Sequence, residues 1–137
     1  MRSGLLTIPF FLCLVSCLST HHPENPKYAN IHKLWKFKKD VSFADTSVEL
    51  HFSDYKTTFL DLTDKSSITF GRDNGRSFTS DYYIEGDTIF GQYRNTRGKY
   101  AIVEFNNNKL SIVKLPDNGS GLSKANKNLI EIVFEAK

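Results

Sequence analysis

The sequence predicts an all-β fold, an antiparallel up-and-down barrel of about eight strands, and three observations carry that prediction. From Leu34 onward, short runs alternate apolar with polar residues, the period of a strand that buries one face. Turn-forming residues interrupt these runs at roughly ten-residue spacing, which suits hairpins and leaves no length for crossover helices. The chain is also rich in rings that fit half-buried pleated surfaces: of its 11 Phe, 6 Tyr and 1 Trp, only Phe10 and Phe11 lie ahead of residue 17. Closure removes exposed edges, and about eight strands leave an interior that fills with side chains or encloses one small ligand. A two-sheet β-sandwich is the competing architecture.

Residues 1–16 read as a signal peptide: Arg2, the apolar run Leu5 to Val15, and small residues ahead of a cysteine. At about 1.5 Å per residue the run covers roughly 16 Å, half of a hydrocarbon core about 30 Å thick, so a cleaved leader is expected over a retained span. Pro9 weakens a permanent helix further. Leu14-Val15-Ser16-Cys17 resembles the bacterial lipobox, in which leucine, a small or β-branched residue and a small residue precede the cysteine that is modified. The resemblance implies a diacylglyceryl thioether on Cys17, cleavage before it and acylation of its new amino group. Each buried CH2 contributes about 0.8 kcal/mol, so two or three acyl chains hold a folded domain on a bilayer where one does not. Ordinary cleavage after Ser19 is the alternative. Leu18 is not the aspartate of an inner-membrane retention signal, so the resemblance implies a bacterial cell envelope protein on the outer membrane, facing the periplasm.

Cysteine usage fits this processing. Cys13 and Cys17 are the only two thiols; one is removed with the leader and the other is lipidated. Removing 16 of 137 residues leaves 121, enough for one domain that buries its own core without disulfides. Without Arg2 the chain has 17 basic against 15 acidic side chains, too slight an excess to imply nucleic acid.

Residues 17–31 contain Pro23 and Pro26 and show no periodicity, which reads as the lipidated cysteine and a flexible tether, with residues 32–137 forming a single barrel domain. His21-His22 lacks a third ligand, so no metal is expected there. The lysines between Lys27 and Lys39 read as a solvated face.

Trp35 and Phe37 alternate with lysines, and Val48, Leu50 and Phe52 alternate with Ser47, Glu49 and His51, placing the apolar set inward. Thr57 to Leu62 and Ser67 to Gly71 are two further runs. Asp73-Asn74-Gly75-Arg76 then joins Phe70 to Phe78, with Asn-Gly expected at the two central positions of a hairpin that require positive φ. A second hairpin turns at Gly86, Thr88 to Tyr93 runs out to an Arg94 to Gly98 loop, and Lys99 to Phe105 returns. Asn106-Asn107-Asn108 turns into Lys109 to Leu115, because asparagine tolerates the left-handed region. Pro116 to Lys127 is a loop with a short helical turn expected near Leu122 to Asn126, and Asn128 to Phe134 is the last strand.

Trp35, together with Tyr83-Ile84-Glu85-Gly86-Asp87-Thr88-Ile89, is similar to the early tryptophan and the hairpin of small lipocalin-like, calycin-type lipoproteins of bacterial envelopes. The likeness spans Trp35 to Leu115 and departs at Lys33, where the lipocalin signature has glycine. It implies a hollow barrel that carries an apolar or amphipathic ligand, and Trp35, Phe52, Phe70, Tyr82 and Tyr93 are the candidate lining. Gly75 to Ser80 with Gly86-Asp87 more loosely resembles the envelope inhibitors of C-type lysozyme, although their disulfide cysteines are missing.

In an up-and-down barrel alternate loops share one end. The loops at Asp54 to Lys56, Arg72 to Arg76, Arg94 to Gly98 and Pro116 to Lys127 would then form one rim, with Arg72, Arg76, Arg94 and Arg97 as an anion or protein-partner site. Solubility alone also places arginines beside loops. The opposite rim, with Asp64, Glu85 and Asp87, is expected to be acidic. No zinc-protease helix, glycine-rich phosphate loop or nucleophile elbow is present, so a non-enzymatic protein without cofactor is expected. Its partners are the bilayer through acylated Cys17 and either another protein or a small apolar ligand. Inward positions dominated by Phe, Tyr, Ile and Leu favour a filled interior and hence the protein partner.

Overall fold

Each alternating run pairs with its neighbour across the next turn. The structure, a computed structural model, describes residues 24–51, 57–93, 96–117, 119 and 121–137, with backbone alone at 92, 93, 96 and 97. The strands are β1 (Leu34–Ser42), β2 (Glu49–Leu50), β3 (Thr57–Asp61), β4 (Ser67–Arg72), β5 (Ser77–Glu85), β6 (Thr88–Tyr93), β7 (Thr96–Phe105), β8 (Lys109–Lys114) and β9 (Ile130–Ala136). From β3 to β9 every strand pairs antiparallel with the next, and β1 bonds to β3 through Trp35↔Leu60 and to β9 through Trp35↔Ala136. The sheet therefore closes into an antiparallel eight-stranded up-and-down barrel, not a sandwich. β2 is a short rung beside the upper part of β1, through Asp40↔Leu50 and Val41↔Glu49. Among the described residues no helix is long and apolar enough to cross a membrane.

Bulges bend the strands and change which face a residue occupies. The register of β1 shifts between Phe37 and Lys39, so Phe37 joins the inner cluster while Lys39 and Val41 turn to the outside. Similar shifts fall between Thr57 and Phe59 and between Ile102 and Glu104. Val48, expected inward, precedes β2 and is 46 % exposed. At the first hairpin the Gly75 N–H donates to the Arg72 carbonyl at 3.1 Å, which makes Asp73 and Asn74 the central residues. Gly75 follows at φ 74°, giving a three-residue loop where a two-residue turn centred on Asn74-Gly75 was expected. The expected Arg94 to Gly98 loop is also shorter, because β7 begins at Thr96. Residues 123–126 make a turn, Asn126 N–H to Ser123 carbonyl at 3.0 Å, and no helix.

The largest departure from the sequence reading is at the expected tether. Pro26–Ile31 forms a 3-10 helix, with Pro26 in its first turn and the Asn25 side chain accepting from the Lys27 N–H at 3.0 Å. Its two buried side chains, Tyr28 and Ile31, close one end of the barrel. Trp35 packs beneath, with its indole N–H donating to the Ile31 carbonyl at 2.9 Å. The folded domain thus begins at about Asn25 and not at residue 32, while residues 17–23 lie outside the described part. Leu60, Leu62, Ile89, Leu110 and Phe134 complete this inner cluster. A second, smaller cluster of Phe43, Val113 and Leu129, backed by Val103, lies on the outside of the sheet.

Candidate binding site at the open barrel end

The strand order sorts the loops by end. Residues 62–66, 86–87 and 106–108 turn at the end closed by the 3-10 helix, while the described residues 43–51, 73–76, 115–117, 119 and 121–129 belong to the connections at the other. Of the loops expected on one rim, the Arg72 to Arg76 turn and the described part of Pro116 to Lys127 lie at that end, and residues 54–56 and 94–95 lie outside the described residues. Of the expected site residues, Arg72 ends β4 and Arg76 is exposed in the following turn, its carbonyl accepting from the Arg72 N–H at 2.8 Å. Arg97 is placed by its backbone, opposite Gln92, and Arg94 lies outside the described residues.

Side-chain parity turns the rim into a mouth. Phe70 is opposite Leu60 and Phe78 in the register, so it faces the interior, and Arg72, two residues on, shares that face. The Arg72 guanidinium lies 4.6 Å from the centre of the Phe78 ring. On the far wall, Tyr100 pairs with Lys114, and the Phe70 and Tyr100 rings meet across the interior at 5.3 Å between centroids. Since β4 and β7 are not neighbours, this contact forms a floor across the barrel. Inward-facing glycines make room for it. Gly91 pairs with Gly98, and a Cβ added at Gly98 would come within 3.0 Å of the Tyr100 ring.

Above that floor, Arg72 and the exposed Lys114 project from β4 and β8, four strands apart in a ring of eight and so on opposite walls. Asp40, opposite Ile132, adds one acidic group. Burial holds the Tyr100 hydroxyl above the usual tyrosine range, with the charge of Arg72 acting in the other direction. The mouth can therefore receive an anion against an aromatic surface, with a guanidinium already stacked on a ring.

Other expected lining residues are elsewhere. Trp35 is sealed in the core of the closed half. Tyr82 is also buried there, its hydroxyl 3.0 Å from His32 Nδ1, and burial pushes its pKa up to about 12, with the charges of Asp64 and Glu24 adding to the shift. Both are packed in the inner core cluster. Phe52 lies outside the described residues, and Tyr93 is placed by backbone alone, opposite Thr96. Phe78, Tyr100 and Lys114 escaped the sequence reading. Counting alternate residues from Phe70 across its hairpin would have found Phe78, whereas the bulge in β7 hides the relation of Tyr100 to the rest of its strand.

The opposite end carries acids, of which Asp87, Glu24 and Asp64 are occupied. Asp87 accepts from Lys27 Nζ at 2.8 Å and from the Tyr28 hydroxyl at 2.5 Å, and these bonds hold its carboxyl below the usual range. Glu24 bonds to His32 at 2.7 Å and to Lys65 at 3.1 Å, while Asp64 accepts from the Ser66 N–H at 2.7 Å. Among the described residues no three His, Cys, Asp or Glu side chains converge as metal ligands.

No family model matches the chain, and no curated protein or solved structure gives a significant match.

Proposed function

We propose that this chain is a non-enzymatic lipoprotein of the bacterial envelope, anchored through Cys17, that binds an acidic protein partner at its basic open end. The observation that carries this reading is the polarity of the barrel: the chain joins the fold at the closed end, and the basic loops stand at the other. Residues 18–23 link Cys17 to Glu24, and a fully extended stretch of that length reaches at most about 25 Å, so the closed end is held beside the bilayer. β1, with 9 residues, at about 3.3 Å per residue and a tilt of roughly 40°, rises about 23 Å along the barrel axis. That exceeds a Debye length of about 8 Å at physiological salt, so the rim arginines are screened from the head groups of their own membrane. They are presented to a partner on the far side. The close packing of Tyr28, Ile31, Trp35 and Phe134 in the closed half also supports a filled interior over one that carries a guest.

The test is a pulldown from envelope extract with the full acylated chain. The expected result is a stoichiometric partner that is lost at high salt and lost on Arg94→Ala with Arg97→Ala. A partner retained by that double variant overturns the reading. A second reading, a lipocalin-like carrier of a small amphipathic anion, is favoured by the Phe70 and Tyr100 floor beneath Arg72. Native mass spectrometry of the purified protein separates the two, because a carrier retains a copurifying ligand. Alkyne fatty-acid labelling of wild type against Cys17→Ala tests the anchor, and label persisting on the variant removes it.

A further inference from the structure

The outer face of the barrel holds a groove apart from the Arg72 and Tyr100 mouth. Strands β1, β7 and β9 with Leu115, Leu122 and Lys124 surround this open groove of about 890 Å³. Its floor is aliphatic, with Val41, Val103 and Val133, and Phe43 forms one side. A sheet face covered only by a loop needs no charge at its centre, yet Glu131 sits in this floor, opposite Val41 and Val113, and is 7 % exposed. No hydrogen bond or ion pair reaches its carboxylate among the described residues. Ser111, two positions along on the same face, is fully buried and its hydroxyl has no partner either.

The Ser111 hydroxyl is a buried polar group without a partner, a rare condition, and the Glu131 carboxylate opens on the groove above an apolar floor with no donor among the described residues on it. The groove also holds two cations, Lys39 and Lys124, neither of which pairs with Glu131. The other charges in its lining are already matched: Glu104 with Lys109 at 2.6 Å and Asp87 with Lys27 at 2.8 Å. What stays open is one buried acid and two flanking bases on an aliphatic trough. We propose that this groove binds a short apolar peptide with free termini, its ammonium on Glu131, its carboxylate on Lys124 or Lys39, and its side chains on the valine floor. Charge complementarity selects a zwitterion, and the volume exceeds the needs of one free amino acid while lying within the range of small-ligand sites.

The probe is the tripeptide Val-Ala-Val, titrated calorimetrically into the full acylated chain in detergent. Saturable binding is expected, weakened at least tenfold by acetylating the peptide amine and by Glu131→Gln, and weakened by amidating its carboxylate and by Lys124→Gln. The acetylated and amidated peptides are tested on the wild type, so the result does not depend on the variants folding. Binding indifferent to both caps overturns the proposal by showing an apolar patch alone. Equal affinity for free leucine, or binding of dodecanoate in place of the tripeptide, overturns it too. Arg94→Ala with Arg97→Ala leaves this binding unchanged, which separates its failure from failure at the open end.

Discussion

The two ends of this barrel are built on opposite principles. At one, Tyr28, Ile31 and Trp35 are driven together and the acids around them are bonded to Lys27, Lys65, His32 and backbone N–H groups. At the other, two rings meet across the interior and Arg72, Asp40 and Lys114 stand above them on the inward face. A closed sheet needs one well-filled half to fix its register, and the other half is then free to carry groups chosen for contact and not for packing. Stability should reside at the closed end and binding at the open one.

The largest effect should follow from emptying the closed end. Trp35→Ala removes the biggest fully buried side chain, and a loss of about 3–5 kcal/mol is expected in chemical denaturation, against about 2–5 kcal/mol for Ile31→Ala. Equal losses from Phe78→Ala at the mouth would break the contrast. Next comes Gly71→Ala. Gly71 lies under the Phe59 ring, and a Cβ there would stand 2.0 Å from it, so overpacking of about 1–3 kcal/mol is expected, relieved in part by Phe59→Ala in the same chain.

The closed end should also respond to pH. Tyr82 has its pKa raised to about 12 by burial, so its neutral form supports the fold fully below the unfolded value of about 10. That support drains away as pH rises from there through the folded value. Denaturation midpoints at pH 8 and pH 11 should therefore differ more in the wild type than in Tyr82→Phe. Asp87 acts with the opposite sign: its depressed carboxyl stabilises above the ordinary aspartate value and ceases to as pH falls through its lower folded one. Asp87→Asn should flatten the acid limb only slightly, since the group is exposed. The smallest change in stability, within about 0.5 kcal/mol, is expected for Lys114→Ala at the mouth, where the same substitution should weaken binding of an acidic partner.

Much of the barrel was legible because alternation and turn chemistry are local. Phe70, Thr79 and Tyr82 declare their strands within a few residues, and Gly75 and Gly86 mark their turns through positive φ. The plug was not legible, since a single turn with apolar residues three apart, Tyr28 and Ile31, is too short to show a period and is preceded by Pro23 and Pro26, which suggest a linker. Bulges hid the rest. A one-residue shift in β1 sends Lys39 and Val41 to the opposite face from Trp35 and Phe37, so no uninterrupted alternation could place Glu131 beside them. The expectation of a basic rim rests on topology alone, whereas the inward residues of the mouth needed the register, which pairs Tyr100 with Lys114 and Phe70 with Phe78.

The Asn25 to Ile31 segment has a mechanical consequence. Any pull that reaches residue 24 bears on the Glu24 bonds to His32 and Lys65 and on this one stopper, through the Asn25 side-chain bond to the Gly86 carbonyl and the Lys27 and Tyr28 bonds to Asp87, before it reaches a single rung of the sheet. Drawing it out would uncork the vessel from below while the hoop of strands above still held.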